Sequence, residues 1–129
     1  MDMNYLLKRV KLMSFFCRFD EIELKSVLPS AKFNVIAKST VIFPKKDWVM
    51  VIASGSVIMQ SHKYAIELPE TIAYFNEGDI IGLPDKDNSL SVSPGVWLTA
   101  QTEIEILLFP KNCFMELWKK HAFNDVKTN

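Results

Sequence analysis

Gly78 and Gly82, in the stretch Phe75-Asn76-Glu77-Gly78-Asp79-Ile80-Ile81-Gly82-Leu83-Pro84, are the residues whose type and spacing best suit the binding of a small anion. Gly78 suits a tight turn with positive φ, and Gly82 ends the apolar pair Ile80-Ile81 without a side chain to block a backbone approach. The charged partner that would hold such an anion does not follow, because the next residues are Leu83 and Pro84. Glu77 and Asp79 could form a carboxylate pair for acid–base work, yet no His or Lys lies beside them in sequence to tune it. Acids in such a turn read as surface caps. His62 and His121 lack ligand partners at useful spacing, and Cys17 and Cys113 lie far apart with no Cys-x-x-Cys, so neither a metal site nor a cofactor is expected. Both thiols read as reduced and buried. Neither a GxSxG elbow nor a GxxxxGK[ST] loop is present.

The elements that must position these residues come from a chain of 129 residues with 15 basic and 15 acidic side chains. That length fits one domain spanning residues 1–129, which buries about two thirds of its unfolded surface without disulfides. A net charge of zero gives no general attraction to nucleic acid or to an anionic membrane. Lys45-Lys46 and Lys119-Lys120 accordingly read as solvated surface. No run approaches the roughly 20 apolar residues of a membrane span, and the first residues lack a basic region followed by an apolar one. A soluble, cytoplasmic protein is expected.

Helical spacing opens the chain. Leu6, Val10, Met13 and Cys17 share one face, with Lys8, Arg9 and Lys11 pointing elsewhere. Asp20 caps the next segment with Glu23 three residues on, Phe19 can staple against Leu24, and Leu24, Val27 and Leu28 form a buried stripe before Pro29. These N-terminal helices occupy 5–28. From Lys32 the pattern turns strand-like: Phe33 with Val35, then Val41 to Phe43, then Trp48 to Ile52. Ser54-Gly55-Ser56 reads as a hairpin turn into Val57-Ile58-Met59. Further short strands are expected at Tyr64 to Leu68, Ile72 to Phe75, Val96 to Ala100 and Ile104 to Phe109, a roll over 32–109. Val49 to Ile52 and Ile104 to Phe109 are too continuously apolar for an edge and should be central. Phe114, Leu117, Trp118 and His121 return to helical spacing over 111–122. Trp48 and Trp97 read as core, whereas Trp118 and Phe123 are the candidates for a protein interface.

In the order of these elements the chain resembles the cyclic nucleotide-binding domain family. The resemblance runs from Leu6 to Ala122 through the Leu6–Leu12 helix, the Val49–Val57 segment, the Gly78-Asp79 turn with Gly82, and the strand pair from Thr99 to Phe109 leading into Phe114–Trp118. It implies an α+β fold, a jelly-roll-like β-roll with N-terminal helices and a C-terminal helix. In nucleotide-binding members a Gly-Glu pair opens a phosphate-binding cassette, the Glu reaching the ribose, and an Arg before the next strand neutralises the phosphate. Here Leu83 follows Gly82, the Arg position falls near Pro94, and no Arg lies between Gly82 and the C-terminus. The remnant pocket would comprise Gly78, Asp79, Gly82, Leu83 and Pro94. Loss of one charge-assisted contact costs about 1.5–3 kcal/mol, and Asp85 and Asp87 would repel a phosphate, while Lys86 offers only a point charge.

The resemblance with its departures implies a non-enzymatic domain, a structural or protein-interaction subunit of a larger intracellular assembly, with cyclic nucleotide not expected as a partner. A roll without a helix-turn-helix, kinase or channel segment would suit a ciliary or other cytoskeletal assembly. The alternative is a cyclic AMP or cyclic GMP sensor with an atypical cassette. An enzyme of the cupin-like roll is disfavoured, because two isolated histidines do not make a metal cluster.

Overall fold

Apolar spacing and a strong cap build the first layer. The computed structural model describes residues 3–13, 16–62, 68–82 and 95–128, with side chains described as far as 119. Helix α1 (Met3–Lys11) buries Leu6, Leu7 and Val10, and Met13 follows them into the same cluster. Cys17 does not. A 3-10 turn at Phe16–Arg18 rotates Phe16 inward and leaves Cys17 exposed, so the expected fourth member of the stripe is replaced by its neighbour. Helix α2 (Glu21–Val27) starts on the expected capping box: the Asp20 carboxylate accepts from the Glu23 N–H at 2.8 Å, and the Glu23 side chain reaches back to the Asp20 N–H. Phe19 and Leu24 are both buried on either side of that cap, as a staple requires. Pro29 then sits in a 3-10 turn, Leu28–Ser30, that hands the chain to the sheet.

Eight strands follow: β1 (Lys32–Ile36), β2 (Val41–Ile42), β3 (Trp48–Ser54), β4 (Val57–Ser61), β5 (Glu70–Phe75), β6 (Ile80–Ile81), β7 (Val96–Ala100) and β8 (Ile104–Pro110). They form two antiparallel four-stranded sheets, sheet I in the order β1-β8-β3-β6 and sheet II in the order β2-β7-β4-β5. The apolar runs in β3 and β8 are the two inner strands of sheet I, as their continuity predicts. Helix α3 (Lys111–Thr128) leaves directly from β8. This is an α+β fold, a β-roll with helices before and after it. The expected strand at Tyr64 to Leu68 lies almost wholly outside the described residues.

One turn is assigned differently by the structure. Ser54-Gly55-Ser56 does not close a hairpin, because β3 belongs to sheet I and β4 to sheet II. It is a corner at which the chain changes sheets. Gly55 has φ +92°, and a Cβ built there would lie 2.6 Å from the Ile104 side chain, 2.7 Å from the Glu103 carbonyl and 2.8 Å from Thr102 Oγ1. A Gly between serines carries the same local signal for a hairpin and for a corner, so sequence could not separate them.

Sheet I has a core on each face. Val49, Val51, Ala53, Leu107 and Phe109 pack against the helices with Phe16, Leu24 and Phe114. Phe109 and Phe114 have ring centroids 5.4 Å apart, and Phe16 meets Phe114 edge-on at 6.2 Å. Met50, Ile52, Ile104 and Ile106, the alternate residues, face the roll and meet Val57, Met59, Leu98 and Ala100 of sheet II. Period-two alternation is what lets one strand serve both cores.

Candidate ligand-binding cleft

The register of sheet I places a cleft at one end of the roll. Lys32 pairs with Leu108, Leu108 with Met50, and Met50 with Ile81, so these side chains form one row across four strands on the roll face. In the next row Asn34 pairs with Ile106. Together with Ile42, Phe43, Pro44, Lys45, Trp48 and Gly82 these residues line a cleft of about 330 Å³. Its floor is apolar, and among the described lining residues the charged members are Lys32 and Lys45, with no carboxylate side chain beside them. The Lys32 ammonium lies 5.0 Å from the Trp48 ring centroid. Gly82 closes the cleft from β6: its φ is +102°, and a Cβ there would stand 3.1 Å from the Trp48 carbonyl oxygen. The backbone approach expected of this glycine is therefore to β3.

The other half of the expected site lies elsewhere. Gly78 has φ +90°, as its turn requires, but Gly78 and Asp79 line a shallow depression on the helix side with Leu12, Met13 and Glu77. Asp79 acts as the turn cap expected of an acid in such a turn: its carboxylate accepts from the Asn76 N–H at 2.6 Å. The Gly78 N–H donates to the Ile52 carbonyl at 2.8 Å, and the Asp79 carbonyl accepts from the Ile52 N–H at 3.0 Å, tying the turn to β3. Gly82 and the Gly78-Asp79 pair thus serve different faces of sheet I. Leu83 and Pro94 lie outside the described residues.

A second polar arrangement was missed by spacing. Arg9, which the helical wheel places away from the apolar stripe, donates to the Ala53 carbonyl at 2.6 Å and to the Tyr5 hydroxyl at 2.7 Å. Its guanidinium also lies 3.4 Å from the Glu105 carboxylate and 3.7 Å from that of Glu77. Ser54 donates to Glu105 at 2.8 Å. Ala53 can accept because a bulge separates Ile52 from Ser54 in the pairing with β8. These bonds clamp α1 to sheet I. The only pointer in the sequence is a long basic side chain at the border of an apolar face, which is common and unspecific.

The tryptophans also differ from expectation. Trp48 stands half-buried at the cleft, and Trp97 is half-buried with its ring centroid 5.3 Å from that of the exposed His62. A sheet residue beside an open cleft or on an outer face keeps one side of its ring wet, so neither is full core. Trp118 is half-buried against the helix-side core, and the side chain of Phe123 lies outside the described ones. Among the described residues no group of three or more His, Cys, Asp or Glu could hold a metal ion, and no helix is long and apolar enough to cross a membrane.

Known structures share this architecture. A cyclic nucleotide-binding-like protein from Brucella abortus matches at a TM-score of 0.61 and 16% identity, covering 88% of this chain and 97% of that one. The regulatory domain of protein kinase A from Toxoplasma gondii, solved with cyclic AMP, matches at 0.70 and 13%, covering 97% of this chain and 48% of its own. The regulatory subunit of a cyclic AMP-independent protein kinase A from Trypanosoma cruzi, bound to guanosine, matches at 0.69 and 14%, with coverages of 92% and 42%. The chain spans about half or less of the two kinase regulators. No protein-family model matches the chain, and no curated protein does. The fold is that of cyclic nucleotide-binding domains, in agreement with the resemblance read from the sequence.

Proposed function

We propose that this chain is a non-enzymatic cyclic nucleotide-binding-like domain that serves as a protein-interaction or structural subunit of an intracellular assembly and does not take up cyclic nucleotide. The observation that carries the reading is the outer face of sheet II. Val41 pairs with Thr99, Thr99 with Ile58 and Ile58 with Tyr74, giving an uncharged row across all four strands. Its two ends, Val41 and Tyr74, are 48% and 69% exposed, and Ile72, two residues before Tyr74 on β5, is 39% exposed. Apolar side chains left in water at both edges of an uncharged row suit a contact surface. The half-buried Trp118, with Phe123, is the second candidate surface. Support for the missing nucleotide comes from Leu83 and Pro94 at the acid and base positions of the resemblance, and from lysines being the cations of the cleft.

The test combines a titration with a surface change. Calorimetry with cyclic AMP, cyclic GMP and guanosine is expected to show no saturable uptake at micromolar concentration. Tyr74→Asp is expected to reduce co-purification of the cellular partner while leaving the melting temperature in place. Saturable uptake of either cyclic nucleotide would establish the sensor alternative instead.

A further inference from the structure

We infer that the cleft at the end of the roll binds a small monocarboxylate with an apolar body, for which a medium-chain fatty acid is the representative ligand. The inference rests on the cleft alone and is independent of the proposed partner surface. Three features set the chemistry. The floor is built by Ile36, Met50, Ile81, Ile106 and Leu108, which would desolvate an aliphatic or aryl body. At about 330 Å³ the cleft is at the small end of ligand sites and large enough for one short chain. Among the described lining residues the charge is one-sided, since Lys32 and Lys45 stand there without an acid.

The lysines also set where the head of the ligand lies. Lys32 belongs to the edge strand β1, and the row Lys32–Leu108–Met50–Ile81 runs from a cation directly onto apolar side chains. Asn34 stands in the next row of the same strand and adds an amide donor on the same side. An anionic head between Lys32, Asn34 and Lys45 therefore leaves its tail directed along sheet I, towards Ile81 and Ile106. A neutral chain would lose the head contacts, and a cation would meet like charge. A phosphate diester would be held less well, because each lysine offers a point charge and no two-pronged fork, and its sugar would lie against an apolar floor.

Sodium decanoate and decan-1-ol titrated calorimetrically into the intact protein test the inference, with Trp48 fluorescence reporting location. The expected result is saturable binding of decanoate, one per chain, with decanol weaker by about tenfold or more, the worth of one charge-assisted contact. In Lys32→Gln/Lys45→Gln, whose exposed positions leave folding intact, decanoate should weaken by about the same factor and decanol should not change. A second variant, Leu108→Trp, fills the cleft and should weaken both ligands, with circular dichroism confirming the fold. No saturation up to about millimolar decanoate overturns the inference. So does equal affinity for acid and alcohol, or an unchanged decanoate affinity in the double variant. Cyclic nucleotide uptake in the same instrument would sink the proposed function without touching these arms.

Discussion

Replacing Gly55 by Ala should be far more damaging than replacing Gly78 by Ala, although the two glycines share nearly the same backbone. Their φ values are +92° and +90°, so the cost of placing an L residue in that region, about 1–2 kcal/mol, is common to both. The difference is room. At Gly78 the nearest atoms to a new Cβ are the Met13 Cβ and Cγ at 4.0 Å, which is ordinary contact. At Gly55 the new carbon meets the Ile104 side chain, the Glu103 carbonyl and the Thr102 hydroxyl, all under 3.0 Å, and the carbonyl is backbone that cannot swing aside. Overpacking of this kind adds about 1–3 kcal/mol. Gly55→Ala should therefore lose about 2–5 kcal/mol against about 1–2 for Gly78→Ala. At about 3–4 °C per kcal/mol for a domain of this size, the gap between the two variants is roughly 3–12 °C in melting temperature. Paired thermal and urea unfolding reads it directly. Equal losses would refute the argument that the corner between the sheets is sterically closed, and would return Gly55 to the role of an ordinary turn glycine.

Arg9→Gln should destabilise by about 1–3 kcal/mol in urea unfolding, because the 2.6 Å bond to the Ala53 carbonyl and the contact with Glu105 are both partly buried; Arg9→Lys should recover only part of this, since an ammonium cannot hold those partners from one plane, and an unchanged midpoint in both would show the clamp to be decorative. Glu21 bridges α2 to α1 through a 2.6 Å contact with Lys11, and the hydrogen bond from Lys11 followed by its charge lowers the Glu21 pKa. A depressed carboxyl contributes stability above its ordinary range and loses it as pH falls through the lowered value, so the small advantage of the native protein over Glu21→Gln should hold at neutral pH, shrink below about pH 4 and weaken with salt; an advantage that grows on acidification would contradict the assignment.

How much of this was legible depends on the range over which each signal acts. The cap at Asp20, the staple of Phe19 with Leu24 and the turn at Gly78-Asp79 are local, and the structure keeps them where the residues put them. The inner position of β3 and β8 was legible because burial on both faces demands continuous apolar sequence. What failed was long-range. Gly55 looked like a hairpin because nothing near it in sequence says that β8, some fifty residues later, packs against the corner. Arg9 looked like solvent because its acceptor, the Ala53 carbonyl, exists only through a bulge in a different strand. The cleft was invisible for the same reason. Lys32 and Lys45 carry no motif, and it takes the register of β1 on β8 and the turn before β3 to bring them over one apolar floor.

Sheet I divides the molecule, and its two inner strands give alternate side chains to the compartments on either side. Each peptide of β3 and β8 therefore has neighbours rooted in both. A change of volume among Met50, Ile106 and Leu108 has one backbone to move, and it is the backbone that carries Val49, Leu107 and Phe109 against the helices. The helical layer and the roll are in that sense not two parts joined together. They are two surfaces of a single partition, so a change of packing on one side is expected to shift the backbone that packs the other.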